Sequence, residues 1–148
     1  MSVRAVLAVW SLALITAGGA VALILSSDRP WPSTAIVLVV VLGLAFVASG
    51  LLARARRPGN RTGMLLMLVG FSWFGVALGA SDRSLVWTLG YAEGAVIVAF
   101  FVHLVLAFPS GRLETKAERR VVAGTYAFAL VLQPAWMLFD DLHDHEDP

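Results

Sequence analysis

The acidic residue Glu93 is the strongest candidate in this sequence for chemistry inside an apolar environment. It lies eight residues into the apolar stretch 85–108, about 12 Å along a helix that rises about 1.5 Å per residue. A carboxylate at that depth must be neutral, paired or in contact with water, because burying a bare charge costs several kcal/mol. Thr88 and Tyr91 are its expected hydrogen-bond partners. A sensing or proton-linked site and a structural hydrogen bond to another helix both account for Glu93.

Histidines are the second group of candidates. His103 follows Glu93 by ten residues on the same predicted helix, so it lies about 15 Å further along and about 80° around the axis, out of contact. A hydrogen bond to a neighbouring residue is its expected role, and a ligand or proton-relay role is the alternative. His143 and His145 lie among the acids of the tail 140–148. They form a candidate divalent-metal site, although a solvated acidic tail explains the same composition.

The composition indicates what kind of protein contains these residues. The chain is 59% hydrophobic and 14% charged, with a mean hydropathy of +0.81, against about 45–50% and about 25% in soluble domains. A soluble domain of 148 residues has too little interior to bury so much apolar sequence. Zero cysteines exclude a disulfide scaffold, and a net charge of +1 excludes nucleic-acid binding through bulk positive charge. No phosphate loop, Ser-x-x-Lys or HExxH motif occurs, so we predict no catalytic residue and no cofactor.

The charges are distributed as in a polytopic membrane protein. Five apolar stretches contain a single formal charge, that of Glu93, and four of them have the roughly 20 residues that a spanning helix needs. None shows the alternation of a barrel strand. The sequence therefore predicts an all-α transmembrane bundle at 1–139, followed by the acidic tail 140–148. The predicted spans are 5–25, 33–53, 63–80, 85–108 and 121–139.

The basic residues predict how the bundle is oriented. Counting alternate connections, nine Lys and Arg lie on one side and two on the other. Short cytoplasmic loops carry the excess of positive charge, so the N-terminus is predicted inside and the C-terminus outside the cell membrane. Thr115 and Glu118 form a capping-box pattern, which predicts that the fifth helix begins near Lys116.

Small residues indicate where helices approach closely. Gly75 and Gly79 lie four residues apart on the third span, as do Gly90 and Gly94 on the fourth. Glycines at this spacing share one helix face and admit a neighbouring backbone. Packing of these two spans against each other is the simpler interpretation, and a homodimer interface is the alternative.

Two loop strings and one helical string carry a resemblance to a known family. They are Arg57-Pro58-Gly59-Asn60-Arg61-Thr62-Gly63, Gly70-Phe71-Ser72-Trp73-Phe74, and the run from His103 to Leu113 that contains Phe108-Pro109-Ser110-Gly111-Arg112. Together they resemble the membrane-embedded N-terminal region of actinobacterial multi-pass sensor histidine kinases. The resemblance covers roughly residues 51–141.

That resemblance implies a membrane input module of two-component signal transduction, with the lipid bilayer as its surroundings. The family's phosphoacceptor helix and ATP-binding domain do not occur in these 148 residues, so the module is non-catalytic. A kinase domain or response regulator is a partner only if the full protein continues. The alternatives are a transporter or channel subunit that uses Glu93 and His103, and a structural membrane assembly protein.

Overall fold

The fold is entirely helical over residues 2–28 and 31–139, which are the residues that this computed structural model describes. The predicted all-α class is confirmed for this part of the chain. The first and second helices are joined by a short connection, and the fifth continues through a π-helical segment into the sixth. The helices are α1 (Val3–Leu25), α2 (Ser33–Arg56), α3 (Thr62–Gly75, extended by a 3-10 turn at Val76–Ala80), α4 (Ser84–Ala107), α5 (Lys116–Ala127) and α6 (Gln133–Phe139).

Four of these helices are long and apolar enough to cross a membrane: α1, α2, α3 with its 3-10 turn, and α4. Their exposed faces carry large apolar side chains, including Leu14, Val41, Leu89 and Val105. So continuous an apolar surface is unfavourable in water, whereas in a bilayer it contacts hydrocarbon. The protein is therefore membrane-embedded.

The fifth predicted span differs from the other four in its internal structure. As predicted, α5 begins at Lys116, and the capping box between Thr115 and Glu118 is present. A π-helical segment at Phe128–Leu132 separates α5 from α6. Pro134 follows it and lacks the N–H that would continue the α-helical ladder to the fourth residue before it. Because the π-helical segment divides this region, neither α5 nor α6 is among the helices long enough to cross a membrane. The fifth span therefore stays a prediction.

The most extensive helix contact joins α2 to α3, through glycines spaced seven residues apart on each helix. A Cβ atom placed on Gly63 would lie 2.7 Å from the carbonyl oxygen of Gly50, and one on Gly70 would lie 2.8 Å from that of Gly43. Backbone therefore contacts backbone at both levels, an approach that any side chain would prevent. This glycine interface was not predicted.

Alanines give α1 its contact with the rest of the bundle. Ala13, Ala17 and Ala20 are all buried on one face of α1. Ala17 and Ala20 pack in a cluster with Phe74 of α3 and Ala77 of its 3-10 turn. Since α3 contacts α1, α2 and α4, it is the central helix, and α5 lies at the periphery against α4.

The predicted packing of α3 against α4 is present, and it uses the four candidate glycines unequally. A Cβ on Gly90 would lie 2.6 Å from the carbonyl carbon of Leu78 and 2.9 Å from the Cα of Gly79. A Cβ on Gly75 would collide with the side chain of Glu93. Positions 79 and 94 have no atom within 4 Å of an added Cβ. Gly94 therefore takes no part in this interface.

Candidate functional site

The carboxyl group of Glu93 lies between α4 and α3. Glu93 is half-buried, and its carboxyl group interacts with the side chain of Ser72 on α3. A Cβ on Gly75 would be 3.1 Å from the Glu93 Cδ and 3.2 Å from its Oε1. The missing side chain at Gly75 thus provides the space that the carboxyl group occupies. The expected polar contact between helices is present, with its partner on the preceding helix.

The two partners that the sequence suggested for Glu93 are engaged elsewhere. The Thr88 hydroxyl donates to the carbonyl oxygen of Ser84 at 2.8 Å. The Tyr91 ring is exposed and stacks on Trp87, with centroids 5.8 Å apart. Ser72 was missed because helix spacing identifies neighbours only within one helix. The partner across the interface depends on how α3 and α4 are rotated.

His103 has the role that the sequence predicted, a hydrogen bond to a neighbouring side chain. Its Nδ1 lies 3.2 Å from the hydroxyl oxygen of Tyr126 on α5. The two rings meet edge to face, with centroids 5.9 Å apart. Phe100 contacts the same tyrosine ring in a similar way, at 5.8 Å. Glu93 therefore faces α3 and His103 faces α5, so the two groups belong to different contacts.

The two loop strings of the sequence analysis meet in space. The Asn60 Nδ2 donates to the carbonyl oxygen of Pro109 at 2.7 Å, and the Thr62 hydroxyl donates to the same oxygen at 3.2 Å. Asn60 Oδ1 accepts from both the N–H and the hydroxyl of Thr62, each at 2.8 Å. These bonds join the α2–α3 loop to the α4–α5 loop across 49 residues of sequence. We call this set of contacts the loop junction.

The α2–α3 loop is folded by hydrogen bonds of its own. The turn at Arg57 and Pro58 closes when the Asn60 N–H donates to the Arg57 carbonyl at 3.0 Å. Gly63, three residues after Asn60, packs on α2. The Asn60 side chain then bonds the backbone two residues on, an Asx turn. The two-residue spacing of Asn60 and Thr62 is typical of such a turn, although it does not indicate that the turn contacts the α4–α5 loop.

The other half of the junction depends on a glycine in left-handed conformation. Gly111 has φ +72°, and its N–H donates to the Ala107 carbonyl at 2.7 Å. A Cβ there would lie 2.6 Å from the backbone nitrogens of Arg61 and Thr62. Conformation and contact therefore both require glycine.

The residues beside Gly111 complete this turn. The Ser110 hydroxyl accepts from the Arg112 N–H at 3.3 Å and donates to the Arg112 carbonyl at 3.2 Å. Phe108 is exposed and its peptide bond to Pro109 is cis. The last residue of α4 is Ala107, because a proline disfavours helical geometry in the residue before it.

A cleft lies beside the loop junction, between α3, α4 and α5. Its volume is about 820 Å³, within the range of about 300–1,000 Å³ that is typical of small-molecule sites. His103 and Tyr126 line it together with apolar side chains of α3 and three arginines. No Asp or Glu is among its described lining residues. The arrangement is suited to binding an anion.

His143 and His145, the candidate metal ligands of the tail, lie outside the described residues. Within residues 2–28 and 31–139, no three His, Asp or Glu side chains group as metal ligands would.

Comparison of the chain with protein-family models, curated proteins and solved structures finds no match in any of the three.

Proposed function

We propose that this chain is a non-catalytic membrane input module of the kind found in multi-pass sensor histidine kinases. It lies in the cell membrane with five spans, the N-terminus inside and the C-terminus outside. A stimulus changes the packing of α3 against α4 and so shifts an equilibrium between two arrangements of the bundle.

The Glu93 contact is the observation that carries this proposal. A carboxyl group that interacts with Ser72 and occupies the space left open at Gly75 is a polar contact within the interface between α3 and α4. Such a contact has two discrete states, paired and unpaired, which a ligand, a proton or a membrane change can bias.

The loop junction supports the same proposal, because it couples movements at the ends of the helices. Its bonds from Asn60 and Thr62 to Pro109 join the beginning of α3 to the end of α4. A shift of one helix therefore moves the loop that leads into the next. These are also the strings whose resemblance to sensor kinases suggested the function.

Topology is tested with single cysteines, since the native chain has none. Gly59→Cys, Ser84→Cys and Glu114→Cys place one thiol in each of three connections. In intact cells, a membrane-impermeant maleimide should label position 84 and leave positions 59 and 114 unlabelled until the cells are opened. Labelling of 59 or 114 in intact cells would overturn the proposed orientation.

Signalling is tested by comparing Gly75→Leu with Gly94→Leu in the full gene product. A leucine at 75 displaces the Glu93 side chain, whereas position 94 has space for it. Phosphorylated response regulators are measured by phosphate-affinity electrophoresis in the native cells. We expect Gly75→Leu to change the phosphorylation of one regulator by about 5- to 150-fold, the usual range of coupling between sites, and Gly94→Leu to leave it unchanged.

Glu93→Gln serves as a second variant, because it preserves the size of the side chain and the fold. If Gly75→Leu and Glu93→Gln both reach the membrane at normal levels and change no regulator, the kinase-linked proposal is wrong.

Transport is less well supported than sensing. A proton or ion path through Glu93 and His103 requires the two groups to line one route. They contact different helices, α3 and α5 respectively. Proton flux in liposomes that is lost in Glu93→Ala would nevertheless favour transport over sensing.

A further inference from the structure

Three guanidinium groups line the cleft beside the loop junction, and they come from three separate parts of the chain. Arg61 precedes α3, Arg112 follows α4, and Arg119 lies in the first turn of α5. Glu118 precedes Arg119 in the chain and interacts with it electrostatically, but its carboxylate belongs to the helix cap, where it accepts from the backbone N–H groups of Glu114 and Thr115 at 2.7 and 3.0 Å. The described lining of the cleft therefore contains three cationic side chains and no Asp or Glu.

The fold brings the three arginine positions together. The loop junction places the backbone of Arg61 against that of Gly111, the residue before Arg112. The Arg119 Nε donates to the carbonyl oxygen of Leu113, the residue after Arg112, at 3.3 Å. That these three positions are neighbours is therefore a consequence of tertiary structure.

The rest of the cleft is apolar and lies next to the membrane-spanning part of the bundle. Met64, Leu65 and Leu68 of α3 form one wall. His103 and Tyr126 lie further along α4 and α5, away from the loops. The cleft therefore changes from cationic at the helix ends to apolar along the spans. A phospholipid at a bilayer surface has the same order, from charged phosphate to acyl chain.

We propose that this cleft binds an anionic diacyl phospholipid, with its phosphate on Arg61, Arg112 and Arg119 and an acyl chain along the α3 wall. Guanidinium groups bind phosphate oxygens through charge-assisted, often bidentate, hydrogen bonds. The apolar wall argues for a lipid over free phosphate, which would leave that surface without a partner. The inference requires a membrane-embedded protein and holds whether or not the chain has a signalling function.

The test is a titration of phosphatidylglycerol into the delipidated full chain in maltoside detergent, with bound lipids counted by native mass spectrometry. Phosphatidylcholine with the same acyl chains tests the need for net negative charge. We expect one phosphatidylglycerol to bind first. Replacing all three arginines of the cleft by glutamine should weaken it about a hundredfold, since each basic residue contributes a factor of about five.

A matched variant removes the same charge elsewhere. Arg56, Arg57 and Arg120 are exposed and lie outside the cleft, and replacing these three by glutamine should change the affinity by less than about threefold. Equal losses in the two triple variants would overturn the proposal, because they would indicate attraction to the whole charged surface. Equal binding of phosphatidylcholine would overturn it as well.

Two further measurements distinguish a loss of lipid binding from a loss of fold, and a bound lipid from a free phosphate. Arg112→Gln alone, at an exposed side chain, should weaken binding about fivefold and retain the wild-type circular dichroism spectrum and Tm. Glycerol phosphate and inorganic phosphate at millimolar concentration should fail to displace the lipid. Displacement by either would show that the cleft binds a free phosphate instead.

Discussion

Replacing Gly63 by alanine tests whether the glycine interface between α2 and α3 holds the bundle together. The added Cβ would lie 2.7 Å from the Gly50 carbonyl oxygen and 2.9 Å from the Arg54 nitrogen. The first distance is about 0.7 Å short of ordinary contact, which begins near 3.4 Å. Both obstructing atoms belong to the backbone, so no side-chain rotation relieves the overlap. The two helices must therefore separate.

The expected cost follows from two opposing effects. Overpacking a close contact costs about 1–3 kcal/mol, while alanine in place of glycine favours a helix by about 1 kcal/mol. Gly94→Ala is the matched control, because it has the same propensity gain and no atom within 4 Å of the new methyl group. We therefore expect Gly63→Ala to be about 1–3 kcal/mol less stable than Gly94→Ala, a difference in which the propensity effect cancels.

The assay is reversible unfolding in mixed micelles of maltoside and dodecyl sulfate, followed by far-ultraviolet circular dichroism. The double variant Gly50→Ala with Gly63→Ala should lose less stability than the sum of the two single variants, since helices already separated by one methyl group accommodate the second. If Gly63→Ala and Gly94→Ala unfold at the same detergent composition, the reasoning about backbone contact is wrong.

Three further predictions concern the loops. Asn60→Ala should lower the unfolding free energy by about 1–3 kcal/mol, because the Pro109 carbonyl loses its 2.7 Å donor; Asn60→Asp should lose at least as much, because it also removes this donor and places a carboxylate oxygen beside the carbonyl oxygen. Gly111→Ala should cost at least about 1–2 kcal/mol, given its positive φ, whereas Gly59→Ala, with open space around it, should be nearly neutral in the same assay. Backbone hydrogen bonds from Thr115 and Glu114 lower the pKa of Glu118, so its contribution to stability is full above its unfolded pKa of about 4.3 and is lost as pH falls through the lower folded value. The Tm difference between wild type and Glu118→Ala should accordingly shrink as the buffer is taken from neutral to about pH 3, and a constant difference would contradict this assignment.

Much of the secondary structure could be predicted from local sequence. The predicted spans 33–53 and 85–108 correspond closely to Ser33–Arg56 and Ser84–Ala107, because an apolar run bounded by charges and prolines defines a helix without reference to its neighbours. The beginning of α5 at Lys116 was predicted for the same reason, since a capping box is complete within four residues. The π-helical segment at Phe128–Leu132 was not predicted.

The glycines show where prediction from spacing ends. Glycines four residues apart were expected to form the α3–α4 contact, and Gly90 does approach the opposing backbone. The more extensive interface, between α2 and α3, uses Gly50 and Gly63 instead. Spacing identifies residues that share a face of one helix, while the rotation of two helices against each other determines which faces meet.

The membrane character, the helical elements and the candidate polar residues Glu93 and His103 are all legible in 148 residues of sequence, because each depends on local composition. The partners of those residues are not legible. Ser72 for Glu93, Tyr126 for His103 and Pro109 for Asn60 are all on other helices or loops. Only the packed bundle brings these partners together, since long-range contacts are set by how the apolar faces fit together and carry no signature in the chain around either partner.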